Sequence, residues 1–249
     1  VLDSLSFLVS AWFITRVRVA EKAGIGGEAA AAHDIRSGMY AYIAGMRYLA
    51  GEPLILGIAL AKAGGSLVWG AINVIEVPLA ERVFPLMGNG ALTLGILYAA
   101  TGIGTGFGPL LMRSWMGDSK AAQMRAIQIG FVALTLGVFG LSLAPSLPWV
   151  LAATALRAVG SGGIWVFATV LLQQLLPDHV RGRVFAFEFA ALTLTQAIST
   201  LWAGIATDQL GLSIQQVAAT AGAAGIVTTG LWLIFQARGR KASLIREPS

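Results

Sequence analysis

The chain has 249 residues, 56% of them hydrophobic and 12% charged, with a net charge of +5, a mean hydropathy of +0.75 and no cysteine. A soluble globular domain carries about 25% charged residues, so that class is excluded. The missing cysteine excludes a disulfide framework, a thiol nucleophile and a thiolate metal site. The basic residues stand beside apolar runs, where anionic headgroups and membrane topology account for them better than nucleic acid does.

In chain order, Leu2 to Ile14 is apolar except for Asp3. It is too short for a full span and lacks the basic n-region of a signal peptide. Residues 1–14 read as the end of a membrane helix whose beginning lies before Val1. A cytoplasmic loop over 15–53 follows. Its first part is rich in glycine and alanine; in its second part Met39, Tyr42, Ile43, Met46 and Leu49 recur at helical spacing. That pattern suits an amphipathic helix lying on the membrane surface.

Six spans then fill 54–237, and a cytoplasmic tail takes 238–249. Expected spans are Leu54 to Pro78, Ala91 to Met112, Ala126 to Leu143, Trp149 to Leu176, Val184 to Thr207 and Leu212 to Ala237. Each approaches or exceeds the roughly 20 residues that cross a hydrocarbon core. The segments 15–53, 113–125, 176–183 and the tail hold 14 of the 17 Lys and Arg residues. Basic loops orient toward the cytoplasm, so these four and the C-terminus are expected there, in a multi-pass protein of the plasma (bacterial inner) membrane. The expected fold class is all-α, a polytopic half bundle of six complete helices and part of a seventh.

Glycines recur inside the spans, and close helix contact is their plainest use. Gly102-Ile103-Gly104-Thr105-Gly106-Phe107-Gly108 has no preceding strand and no Gly-Lys-Ser/Thr, so it is not a nucleotide loop. His33 and His179 have no metal-ligand spacing partner, and neither a metal nor a cofactor is expected. No span carries paired carboxylates or a nucleophile–base spacing, which argues against an enzyme.

A charge at the bilayer centre costs about 2.5 to 3.5 kcal/mol or more, so it faces a cavity or a partner. Lys62 stands about 12 Å into its span at 1.5 Å per residue. It either lines a water-filled cavity or forms a buried pair. Arg157 is similarly deep from the other side and either binds an anionic group or locks a helix through a carboxylate such as Glu76. Glu188 either pairs with Arg181 or Arg183 near the interface or serves as a proton-accepting carboxylate. Asn73, Gln173, Gln174 and Gln196 either meet substrate or bond across helices.

In this order of features the whole chain resembles the second half of a major facilitator superfamily transporter, from the end of helix six through helix twelve. The opening Asp3-Ser4-Leu5-Ser6-Phe7-Leu8-Val9-Ser10-Ala11 is similar to helix six of bacterial drug, macrolide and siderophore exporters. Gly45-Met46-Arg47-Tyr48-Leu49 before Pro53 resembles the approach to helix seven. Leu176-Pro177-Asp178-His179-Val180-Arg181-Gly182-Arg183-Val184-Phe185-Ala186 resembles the loop between helices ten and eleven. Ala203-Gly204-Ile205-Ala206-Thr207-Asp208-Gln209-Leu210-Gly211 is similar to the close of helix eleven. Gly108, Arg113, Asp118, Lys120 and Arg125 give only a degenerate form of the family's Gly-x-x-x-Asp-Arg-x-Gly-Arg-Arg loop.

The resemblance implies two six-helix halves rocking about a small-molecule substrate in the bilayer, with a proton as coupling ion and an N-terminal half completing the transporter. It implies efflux of amphipathic molecules by an antiporter. The candidate substrate-binding or gating residues are then Lys62, Arg157, Glu188 and Asn73. Arg181, Arg183 and Asp208 are candidates for a cytoplasmic lock. An importer or lipid flippase on the same fold, or a non-transporting assembly subunit, remains the alternative.

Overall fold

The computed structural model describes residues 12, 13, 16, 43 and 45–245, with side chains placed as far as Arg238. The chain divides into two compact units, 1–41 and 42–249. In the first, the Trp12 and Phe13 rings meet edge-on at 5.0 Å, and the Arg16 guanidinium lies 4.2 Å from the Trp12 ring centroid. The remainder of the expected truncated helix, the glycine-rich part of the 15–53 loop and the start of its surface helix lie outside the described residues.

The second unit is all-α and polytopic. Within it a helical segment at 45–51 comes first, with Leu49 buried in the core and Arg47 exposed. Glu52 interrupts this segment, and Pro53 opens the next helix where the missing amide is harmless. Six helices follow: α1 Pro53–Pro78, α2 Gly90–Met116, α3 Lys120–Ser142, α4 Leu147–Leu175, α5 Asp178–Asp208 and α6 Ile214–Ile245. All six are long and apolar enough to cross a membrane. Among the described residues there is no strand, only an isolated bridge between Leu86 and Asn89.

The turns are short because the sequence punctuates them. Pro78 ends the regular part of α1, and one π-helical turn, Leu79–Val83, carries it on. Met87 and Gly88 both have positive φ, 53° and 72°, which makes the tight reversal before α2. The Asn89 side chain accepts the Ala91 amide and caps α2. Gly117, at φ 82°, ends α2, and the Ser119 hydroxyl accepts the Ala122 amide to start α3.

Several helices extend further than expected, and 113–116 form the last turn of α2. The basic stretches 120–125 and 178–183 are the first turns of α3 and α5 rather than loops, and α6 continues into the expected tail. Backbone hydrogen bonding does not stop at the hydrocarbon edge, and side chains such as Lys120 and Arg125 are good helix formers in water. The turns are left with only 117–119 and 176–177.

α1 is the central element. It packs most closely on α5 and α6 and also touches α3 and α4. Two thirds of its most apolar window is buried (67%), against 22% for α2 and for α5. The other dense region is a slab of α2, α4 and α3, with α4 in the middle. Glycine sets its spacing. A Cβ at Gly130 would lie 2.8 Å from the Gly160 carbonyl oxygen, and one at Gly160 would strike Gly130 and Leu134 backbone in return. On the other face of α4, a Cβ at Gly104 would sit 2.7 Å from the Ala155 carbonyl oxygen. Such backbone-to-backbone approach replaces the hydrophobic drive that lipid does not supply.

Candidate functional site

Two ion pairs lie inside the bundle, and α1 contributes to both. Near its start Lys62 reaches across to Glu188 on α5, with 3.0 Å between Nζ and Oε1 and side chains only 6% and 4% exposed. The Lys62 ammonium also lies 4.6 Å from the ring centroid of Trp165 on α4. The indole face thereby adds a cation–π contact to a desolvated cation. The rest of the Trp165 side chain is exposed.

Near the other end of α1, Glu76 accepts a hydrogen bond from Nη2 of Arg157 on α4, with both residues buried. The Thr101 hydroxyl on α2 is a longer contact of the same nitrogen, at 3.4 Å. Arg157 Nε has no acceptor. Gly137 lets α3 pass against the backbone of Arg157; any side chain there would strike it. Arg157 therefore stands against Glu76, the carboxylate named as an example for the second of its two possible uses.

Between the two pairs α1 and α5 are joined by hydroxyls. The Ser66 hydroxyl is 2.5 Å from that of Thr195 and lies 3.0 Å from the Leu192 carbonyl oxygen. The Ser199 hydroxyl donates to the Leu67 carbonyl at 2.7 Å and accepts the Ala71 amide at 2.9 Å. Thr200 donates to the Gly70 carbonyl. Glu188, Leu192, Ser199, Ala203 and Ala206 are the buried residues of α5 along this line.

Other expectations fall differently. Glu188 faces Lys62, not Arg181 or Arg183. Because α5 begins at Asp178, Glu188 is ten residues into the helix and points at α1, whereas Arg181 bonds Asp178 at 2.8 Å and the Leu176 carbonyl. Arg183 is exposed, its side chain against Gly45. Asp208 closes α5 at the opposite end, about 38 Å along the axis from Arg183. Arg181, Arg183 and Asp208 therefore do not meet in one lock.

Asn73 is exposed on α1, and its side chain makes no hydrogen bond among the described residues. Gln173 and Gln174 are exposed on α4, and the backbone carbonyl of Gln196 lies close against Gly70, 2.9 Å from where a Cβ would stand. The degenerate loop forms a two-point contact of Arg113 with Asp118, at 2.6 and 2.7 Å, on the surface. Gly102 to Gly108 lie within α2, where Gly104 and Gly108 pack against α4 and Gly102 and Gly106 are exposed. His33 is outside the described residues, His179 is exposed, and no metal-holding cluster occurs among the described residues. The Ser199 contact had no sequence signal beyond a hydroxyl in a span.

Six long apolar helices, with two buried ion pairs between them, define a multi-pass α-helical membrane protein. The sequence is 27% identical over 151 residues to Myo-inositol transporter 3 of Cryptococcus neoformans var. grubii. That stretch covers 61% of this chain and 22% of the relative. No family model matches the chain, and no solved structure matches it significantly.

Proposed function

We propose that this chain forms the second half of a secondary transporter of the major facilitator type, moving a small organic molecule across the plasma membrane. The observation that carries the reading is the pair of buried ion pairs on α1. Ionisable residues in spans are expensive and mark substrate and ion pathways, and here a lysine and a glutamate on one central helix are held by two different neighbours. The likeness to a named transporter supports it.

In the proposed cycle Lys62 and Glu188, under Trp165, form the polar gate at the basic end. Arg157 and Glu76 close the other end, and Asn73 faces the transport path. Proton arrival at Glu188 releases Lys62 and couples the cycle to a proton gradient. The basic ends of the helices face the cytoplasm, the segment before Pro53 rests on the membrane surface, and an N-terminal half completes the alternating-access pair. Efflux of an amphipathic molecule is the direction implied by the exporters that the sequence resembles.

The relative's name favours a second reading, import of a polyol such as myo-inositol. Transport by the intact protein in proteoliposomes separates them: efflux of an amphipathic dye driven by an imposed pH gradient, against uptake of labelled myo-inositol. Lys62→Met is expected to abolish whichever flux is found; unchanged flux removes Lys62 from the path.

A further inference from the structure

In a lipid-embedded helix every backbone N–H and C=O must be satisfied from within the protein. Bending such a helix normally opens a rung of its ladder and strands both groups in hydrocarbon. At one place in α1 that penalty is lifted. The Leu67 carbonyl and the Ala71 amide are the two groups that one i→i−4 bond would join, and the Ser199 hydroxyl of α5 serves both, at 2.7 and 2.9 Å. A side chain inserted into the ladder is one of the few recognised causes of a helix kink.

A second observation marks the same rung. A Cβ at Gly70 would lie 2.8 Å from Ser199 Cβ and 2.9 Å from the Gln196 carbonyl oxygen. The residue that admits α5 to the ladder is thus a glycine. The third is position: the rung lies between Lys62, tied to α5, and Glu76, tied to α4. The ion pairs of the two segments of α1 go to different helices, although Trp165 of α4 also lies against Lys62.

We propose that Ser199 makes Leu67–Ala71 a hydroxyl-splinted hinge, about which the Pro53 end of α1 swings while its Glu76 end stays fixed to the α2–α4–α3 slab. Ser199 is a positioning residue. When α1 bends there, its hydroxyl keeps the Leu67 carbonyl and the Ala71 amide hydrogen-bonded.

The test is spin-label distance measurement on the intact protein in lipid nanodiscs, helped by the absence of cysteine from this chain. One pair of labels, at Leu54 and Trp115, reads the swinging arm against α2; a second, at Val77 and Leu92, reads the fixed arm. All four side chains are exposed. The swinging arm is about 22 Å long, so a bend of about 20° moves its tip by about 8 Å.

The expected result is two populations about 8 Å apart for the 54/115 pair and one for the 77/92 pair. Ser199→Ala should collapse the first to one population and leave the second unchanged. Equal, narrow distributions for both pairs in the unsubstituted protein overturn the hinge, and need no variant to do so. So does a 54/115 distribution that keeps both populations in Ser199→Ala.

Discussion

The α2–α4–α3 slab and the α1–α5 seam solve the same problem by opposite means. In the slab, glycines remove side chains so that backbones touch, as at Gly130, Gly160 and Gly104. In the seam, with Gly70 admitting α5, hydroxyls and one ion pair add bonds between the helices, as at Ser66, Thr195, Ser199 and Lys62. Steric contact of the first kind has a single best register, because packed interiors do not deform continuously. Hydrogen bonds of the second kind average only about 0.6 kcal/mol each in a membrane protein and find other partners. The slab is built to hold still and the seam to exchange.

The sharpest way to break this contrast is to put bulk into the slab. Gly160→Leu should abolish monodisperse protein on detergent size-exclusion chromatography, since over-packing costs about 1 to 3 kcal/mol even where neighbours can yield, and here the neighbour is backbone. A monodisperse variant with unchanged melting would mean that the slab is soft.

Next in size is the gate. Glu188→Leu leaves the Lys62 cation buried without its carboxylate, and removing one partner of a buried pair costs about 3 to 5 kcal/mol. The double variant Lys62→Met/Glu188→Leu should recover most of the lost thermal stability while transport stays absent. Recovery of both would reduce the pair to packing; recovery of neither would place it in the rigid part of the fold.

A smaller effect is expected at Ser66→Ala, a loss of about 0.6 kcal/mol, read as a shift of one to a few degrees in the melting midpoint. A loss as large as that of Glu188→Leu would move the seam into the rigid class. Smallest of all, Asp118→Ala breaks the exposed pair with Arg113 and should leave the melting midpoint where it was, as surface pairs usually do. A marked fall would show that the turn between α2 and α3 braces the slab.

Sequence pattern carried most of the architecture, because hydrocarbon thickness and charge cost constrain span number and the alternation of basic ends more tightly than any soluble fold is constrained. The Arg157–Glu76 pair was legible because few carboxylates lie deep in spans. The Lys62–Glu188 pair was not. Placing the start of α5 at Val184 put Glu188 at the interface beside Arg181 and Arg183, and six more residues of helix bury it on the face toward α1. Which carbonyl a serine meets is set by the neighbouring helix, so Ser199 looked like any other hydroxyl in a span.

The order in which the partners are made has a consequence for biogenesis. α1 emerges from the ribosome with Lys62 and Glu76 already in it, while Arg157 follows 81 residues later and Glu188 126 residues after Lys62. At about 5 to 20 residues per second, Lys62 waits roughly 6 to 25 s for its counter-charge. During that interval α1 is a poor candidate for free lipid. It must linger at the insertion machinery, under a chaperone, or half-inserted until α5 arrives. The most buried helix of the finished bundle is thus one whose charged residues are made well before the partners that bury them.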